Sequence, residues 1–412
     1  VNGMEIGKVE QEEIEARVKR LQARLVQEGV DAFLVTQHVD LYYFTGSMQA
    51  GYAFIPAEGE PVFYVRRSIE RAGLESAIAV EAMSSMRGFR AQLAAGHPSV
   101  FGGDRPAGKP IAIATEMDVL PAAAFAKLAE VIAGGQTGCA LVDGSALVRG
   151  VRMIKSPWEI GRIEAAAAVA AEALTASLPI VKEGLTELEL LARIEYEIRI
   201  RGHIGVMRTR SYNMEIMTGM LGSGSAAAIP SAFDGPAGGL GLGPSVPQSA
   251  SRKPIRRNEP ILIDIGCCID GYVIDQTRTA VIGSLPDELA AAYAVAERII
   301  RHAERLMAPG TACDAIYAAS LADAAAAGLA DHFMGHGINQ VKFLGHGIGL
   351  EVDEWPVLAR GFGNPLEPGM VIAVEPKFTF PGSGVVGIEN SYLVTDAGCR
   401  PLTRSPEGLI VL

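Results

Sequence analysis

Apolar and polar positions alternate most clearly from Ile261 to Ile282, ILIDIGCCIDGYVIDQTRTAVI. Two β-branched runs flank Asp270-Gly271, a dipeptide that favours two-residue hairpin turns. Side chains alternate faces along a strand, so Leu262, Asp264 and Gly266 share one face, as do Val273, Asp275 and Thr277. With a two-residue loop, Asp264 opposes Thr277 and lies diagonal to Asp275. Two carboxylates ~4 Å apart repel by ~4 kcal/mol at an effective dielectric of about 20. The pattern therefore predicts a hairpin that needs a cation between its acids. The plainer alternative is an ordinary hairpin with two solvent-facing aspartates.

Elsewhere the pattern predicts mixed helices and short strands. Ile14, Val18, Leu21 and Leu25 follow helical spacing up to Gly29, and residues 31–36 read as a buried strand. Residues 53–65 read as a hairpin turning at Glu58-Gly59. Strands at 78–81 and 111–114 and helices at 69–74 and 120–133 complete an α/β layer domain over residues 1–150. A second domain opens at Lys155-Ser-Pro-Trp-Glu159, where Ser156, Pro157 and Glu159 have the order of a capped helix start, and runs over residues 155–412. Thr186 and Glu189 repeat the capping pattern, and helices follow at 286–307 and 313–327. Residues 219–247, rich in Gly, Ser, Ala and Pro, read as a long loop, either a lid over a site or a surface insertion.

The chain has 412 residues, is 49% hydrophobic and 20% charged, and carries a net charge of −11, which disfavours nucleic acid or an anionic membrane as partner. No stretch reads as a membrane span or signal peptide. The five cysteines are odd in number and lack metal-site spacing, so a reducing cytoplasm is expected, with Cys267 and Cys268 as small apolar fillers.

A second acidic hairpin lies near the C-terminus. Ile372 and Val374 flank Glu375, the stretch 385–394 holds Glu389, and a turn centred on Gly382 sets the two glutamates opposite each other. With His346, flanked by glycines in GHGIG, there are five candidate ligands: Asp264, Asp275, His346, Glu375 and Glu389. Two divalent ions would balance the four carboxylates, and an oxygen-rich site with one imidazole suits manganese, iron, cobalt or zinc.

Asp264, Asp275 eleven residues on, His346 in GHGIGLE, Glu375 in a VEP context and Glu389 in GIEN resemble the pita-bread metallohydrolases. That family includes methionine aminopeptidase, aminopeptidase P, prolidase and the metal-free creatinase. Residues 155–159, Gly271-Tyr272 and the DQTRT run from Asp275 to Thr279 add to the likeness. The resemblance implies an α+β fold, with a creatinase-like N-terminal domain before a pita-bread catalytic domain, and a homodimer. It also implies that Asp264 binds one metal, that Asp275 and Glu389 bridge both, and that His346 and Glu375 hold the second. A hydroxide on the metals would then attack a small peptide, with Glu375 handling protons.

Three departures fall on the substrate side. The family's peptidases carry a histidine where Asp353 stands in GLEVDE, another after a proline where residues 247–250 read PQSA, and an arginine where Gly387 stands. Asp353 could accept a proton or bind a cationic substrate group, or simply pair with an arginine. His336, in GHGIN ten residues before GHGIG, is a candidate for a missing imidazole's place, and Arg208 and Arg210 could clamp a carboxylate. His38, His97, His203, His302 and His332 read as surface or ordinary polar residues. The expected function is a dinuclear metal-dependent hydrolase of the Xaa-Pro dipeptidase or aminopeptidase kind. The alternatives are a C–N hydrolase or lyase on the same scaffold, and a binding module without catalysis.

Overall fold

The structure is a computed structural model that describes residues 7–102, 110–134 and 138–412. It falls into two compact units, Val1–Arg152 and Met153–Leu412.

The first unit is a mixed six-stranded sheet flanked by helices. Its strands are β1 (Ala32–Val35), β2 (Gly51–Pro56), β3 (Val62–Val65), β4 (Ala79–Ala82), β5 (Ile111–Thr115) and β6 (Cys139–Asp143), in the order β4-β3-β2-β1-β5-β6. The helix Gln11–Glu28 buries Ile14, Val18, Leu21 and Leu25, as their spacing requires, and Gly29 ends it in a left-handed conformation at φ 65°. The hairpin of β2 and β3 is antiparallel, whereas β4, β5 and β6 each add in parallel. His97 is buried and hydrogen-bonded to the Tyr64 hydroxyl at 3.0 Å, a satisfied polar group rather than a surface one.

The second unit is built on two larger sheets and a small ribbon. One sheet holds β7 (Gly219–Ser223), β8 (Pro260–Ile269), β9 (Tyr272–Val281) and, at its far edge, β17 (Ile410–Val411). The ribbon is β13 (Lys377–Phe380) with β14 (Gly384–Gly387). The other sheet holds β10 (Phe343–Gly347), β11 (Glu354–Ala359), β12 (Val371–Val374), β15 (Asn390–Thr395) and β16 (Gly398–Pro401), in the order β11-β10-β12-β15-β16. Both expected capping boxes form, Ser156 with Glu159 and Thr186 with Glu189.

Two expectations need correction. The loop read from Gly219 begins instead with a strand, because β7 pairs antiparallel with β8, Met220 lying opposite Asp264. Gly219 hid it: a Cβ there would lie 2.3 Å from the Asp264 carbonyl oxygen, so the residue is glycine for close approach and not for looseness. The segment Pro157–Ile180 also passes a membrane span's tests of length and composition. Ile163, Ala166, Ala170 and Leu174 on its helix are buried, and it packs against β8 and β9, as a core helix does.

Candidate metal centre

The opening hairpin forms in the expected register. Ile269 pairs with Tyr272 across Asp270-Gly271, Asp264 faces Thr277, and Gly266 faces Asp275. Asp270 and Gly271 both take positive φ, 50° and 92°, the requirement of a two-residue turn that follows the strands' twist.

The second acidic hairpin keeps one register but changes sheets midway. Val374 pairs with Asn390 in the large sheet, and Lys377 pairs with Gly387 in the ribbon. Both pairs define the same alignment, so Glu375 and Glu389 stand opposite each other in the interruption between them. There Glu389 bridges instead to Thr277 of β9. His346 arrives on the neighbouring strand, opposite Ala373.

All five candidate ligands are brought together. Asp275, His346 and Glu389 offer ligand atoms within 4.8 Å of one another, and so do Asp264, Glu375 and Glu389. His346 Nε2 lies 3.7 Å from Glu375 Oε1, while its Nδ1 faces the Gly347 carbonyl at 3.1 Å. The cluster of His346 with Asp275 and Glu389 is the one the resemblance implies; Glu375 alone is grouped differently, with Asp264 and Glu389.

The sequence reading overlooked what sits in the second cluster. The Lys377 ammonium lies 2.9 Å from Asp264 Oδ2, 2.6 Å from Glu375 Oε2 and 3.0 Å from Glu389 Oε2. Its side chain is 1% exposed. In the first cluster, among the described residues, no lysine or arginine forms an ion pair with Asp275. Among the described residues Glu389 Oε1, though buried, has no hydrogen-bond partner, so this residue shared by both clusters keeps one acceptor unsatisfied. This donor set of two carboxylates and one imidazole fits a divalent transition-metal ion.

The acids' proton affinities record the same asymmetry. Burial pushes Asp275 well above the usual carboxylate range, and the charges of Glu389 and Asp264 add to it. Burial also raises Asp264 to about 6 and Glu375 to about 7, against the pull of Lys377. Burial alone would raise Glu389 too, but Lys377, His346 and the Thr277 hydroxyl hold it below its ordinary value. His346 is buried, which disfavours its charged form, yet Asp353, Glu375 and Glu389 together raise it.

Asp353 lies 3.6 Å from His346 Nδ1 and is 37% exposed, so it borders the centre from the solvent side. His336 is not brought to the ligands. Its ring stacks on His332 at 4.9 Å and its Nδ1 contacts the Asp331 carbonyl. It lines a neighbouring cavity of about 700 Å³ with Phe233, Phe343 and Val357, and none of the five ligands lines that cavity. Arg210 is buried and meets Glu351 at 3.7 Å. Gln248 contacts the Glu215 carbonyl. His203, expected at the surface, is buried and accepts a hydrogen bond from the Cys268 amide at 2.9 Å, because the chain turns back onto β8 after its helix. Burial pushes the Cys267 and Cys268 thiols up to about 12, consistent with inert fillers.

Two further residues of the DQTRT run hold the centre in place. The Thr277 hydroxyl donates to Glu389 Oε2 at 2.7 Å. The buried Arg278 guanidinium donates to the Thr277, Glu389, Ser405 and Pro406 carbonyls and to Asn390 Oδ1, tying both acidic hairpins from behind. Strand alternation could have found Thr277, which faces Asp264; Arg278, pointing away, carries no such signal.

The chain is 28% identical over 396 residues to an Xaa-Pro dipeptidase of Pyrococcus horikoshii, covering 96% of this chain and 98% of that one. It is 29% identical over 405 residues to a probable dipeptidase PepE of Mycobacterium tuberculosis, covering 95% and 94%. The crystal structure of the prolidase from Pyrococcus horikoshii OT3 superposes with a TM-score of 0.77 at 27% identity, over 96% of this chain and all of that one. That of dipeptidase PepE from Mycobacterium ulcerans superposes with 0.79 at 26% identity, over 98% and 99%. The creatinase/prolidase N-terminal domain matches residues 17–154. The model of metallopeptidase family M24 matches residues 161–396, more than half of the chain, which therefore belongs to that family.

Proposed function

We propose that the protein is a metal-dependent peptidase that cleaves small peptides, with Xaa-Pro dipeptides as its first candidate substrates. The observation that carries this reading is the cluster of Asp275, His346 and Glu389, with the Glu389 Oε1 acceptor unpartnered beside it. The names of the relatives point to the same substrate class.

Asp275, His346 and Glu389 would hold a divalent ion, drawn from manganese, cobalt, iron or zinc. When bound, such an ion supplies Lewis acidity toward a scissile carbonyl. The Gly347 carbonyl accepts from His346 Nδ1–H and so turns Nε2 inward as the ligand nitrogen. Glu375 handles the proton passed to the leaving amine: its carboxylate faces His346 and is held in place by Lys377. Asp353, at the exposed rim, is placed to meet a cationic substrate amine.

One observation favours a second reading. The peptidases' other histidine positions are Asp353 and Gln248 here, while His203, His302, His332 and His336 are each engaged elsewhere. A centre with His346 as its one imidazole would also serve a C–N hydrolase or lyase acting on a small cationic substrate.

A panel of Xaa-Pro dipeptides, incubated with manganese- or cobalt-loaded protein, separates the two. Release of free proline is expected, with a loss of ~10²–10⁴-fold in kcat for Glu375→Gln. Protein of confirmed metal content that turns over no proline peptide would overturn the peptidase reading in favour of the second.

A further inference from the structure

We propose that Lys377 permanently fills one of the centre's two cation positions, so that the protein binds a single divalent ion per chain, at Asp275, His346 and Glu389. The inference rests on the reading of this cluster as a metal site, and concerns how many ions it takes.

The geometry is that of a complete ion site with an ammonium at its middle. A protonated lysine has three N–H donors, and Lys377 has three carboxylate oxygens within 2.6–3.0 Å, one each from Asp264, Glu375 and Glu389. These are the same three residues that make up the second candidate metal cluster. A divalent ion could take those oxygens only by expelling the ammonium. Lys377 is fully buried, and its backbone is fixed in β13 by pairing with Gly387. An evicted ammonium would be left buried without its partners, facing a second positive charge.

A separate observation concerns the residue opposite this lysine. A Cβ at Gly387 would lie 2.6 Å from Lys377 Cγ and 2.6 Å from the Pro376 carbonyl oxygen. The glycine opposite Lys377 therefore makes room for its aliphatic stem. The missing arginine at position 387 and the lysine at 377 thus meet in one place, where the stem and the backbone of residues 376 and 377 together leave no room for a side chain. The first cluster differs: among the described residues no lysine or arginine forms an ion pair with Asp275, and Glu389 Oε1 lacks a partner.

The test is manganese stoichiometry on the full chain. Protein stripped with a chelator and dialysed against Mn²⁺ is expected to hold one manganese per chain by elemental analysis. Its electron paramagnetic resonance spectrum should be that of an isolated ion, without exchange coupling. Asp275→Asn should lose the ion. Asp264→Asn, whose carboxylate serves the lysine, should keep one. Lys377→Ala should admit a second ion and produce a coupled spectrum. Two manganese ions per wild-type chain, a coupled wild-type spectrum, or a folded Lys377→Ala protein still limited to one ion would each overturn the proposal. Should Lys377→Ala not fold, the wild-type count and the Asp264→Asn protein decide. Wild-type protein without manganese under any loading would instead overturn the underlying metal-site reading.

Discussion

The two oxygens of the Glu389 carboxylate sit in contrasting surroundings though they share one carbon. Oε2 receives the Thr277 hydroxyl at 2.7 Å and the Lys377 ammonium at 3.0 Å, and the acids around it are balanced by the chain itself. Oε1, also buried, receives nothing among the described residues. Both clusters have the same problem, buried carboxylates that repel one another, and they resolve it differently. One carries its counter-charge on a strand; the other leaves the position for a solute. A cluster of acids, then, is evidence that a cation is needed, and only the surrounding side chains show whether that cation is a metal.

The hardest test of this contrast is to remove the built-in cation. Lys377→Met leaves three buried acids without their donor, and is expected to lower the unfolding free energy of chelator-treated protein by about 3–5 kcal/mol. Urea denaturation measures this, and a loss below about 1 kcal/mol would show that the acids do not depend on the lysine. A buried acid in the first unit sharpens the comparison, because it is held by neutral donors. Glu116 accepts from the Thr36 amide and hydroxyl and from the Thr115 hydroxyl. Burial and the nearby Asp40 raise it from 4.5 to about 7. A carboxyl raised on folding favours the folded state below its ordinary value, and that contribution fades as pH climbs from about 4.5 through 7. Glu116→Gln should therefore flatten the fall in stability across that window by up to about 3 kcal/mol, seen in urea melts at several pH values. An unchanged pH slope would show that neutral donors suffice for the charged form.

Smaller effects probe the supports. Thr277→Val removes a hydroxyl from a charged, buried acceptor and should cost about 1.5–3 kcal/mol, again by urea denaturation. Gly387→Ala crowds the lysine stem and should cost about 1–3 kcal/mol. If it is neutral, the ribbon yields more easily than the 2.6 Å approach implies.

Much of the centre was legible in the sequence. The Asp270-Gly271 turn fixed the register of the first hairpin, and the turn at Gly382 aligned Glu375 with Glu389. Both rest on a period of two and a short loop, which leave little freedom. Lys377 was missed although the same rule reaches it. It lies two residues after Glu375, on the same face, and opposite Gly387 in the register already deduced. A lysine in a strand is usually solvated, and the absence of arginine at 387 was read by itself, as a loss on the substrate side. His203 and Arg278 were hidden for another reason, because long-range folding of the chain, not local pattern, supplies their partners. The strand at Gly219 was masked by glycines that serve close packing.

The Thr277 hydroxyl has a consequence for denticity. By occupying Oε2 together with Lys377, it leaves Oε1 as the Glu389 oxygen without a hydrogen-bond partner among the described residues. A glutamate so restrained cannot chelate an ion through both oxygens. An ion held there would therefore have to complete its coordination from outside, with water or substrate.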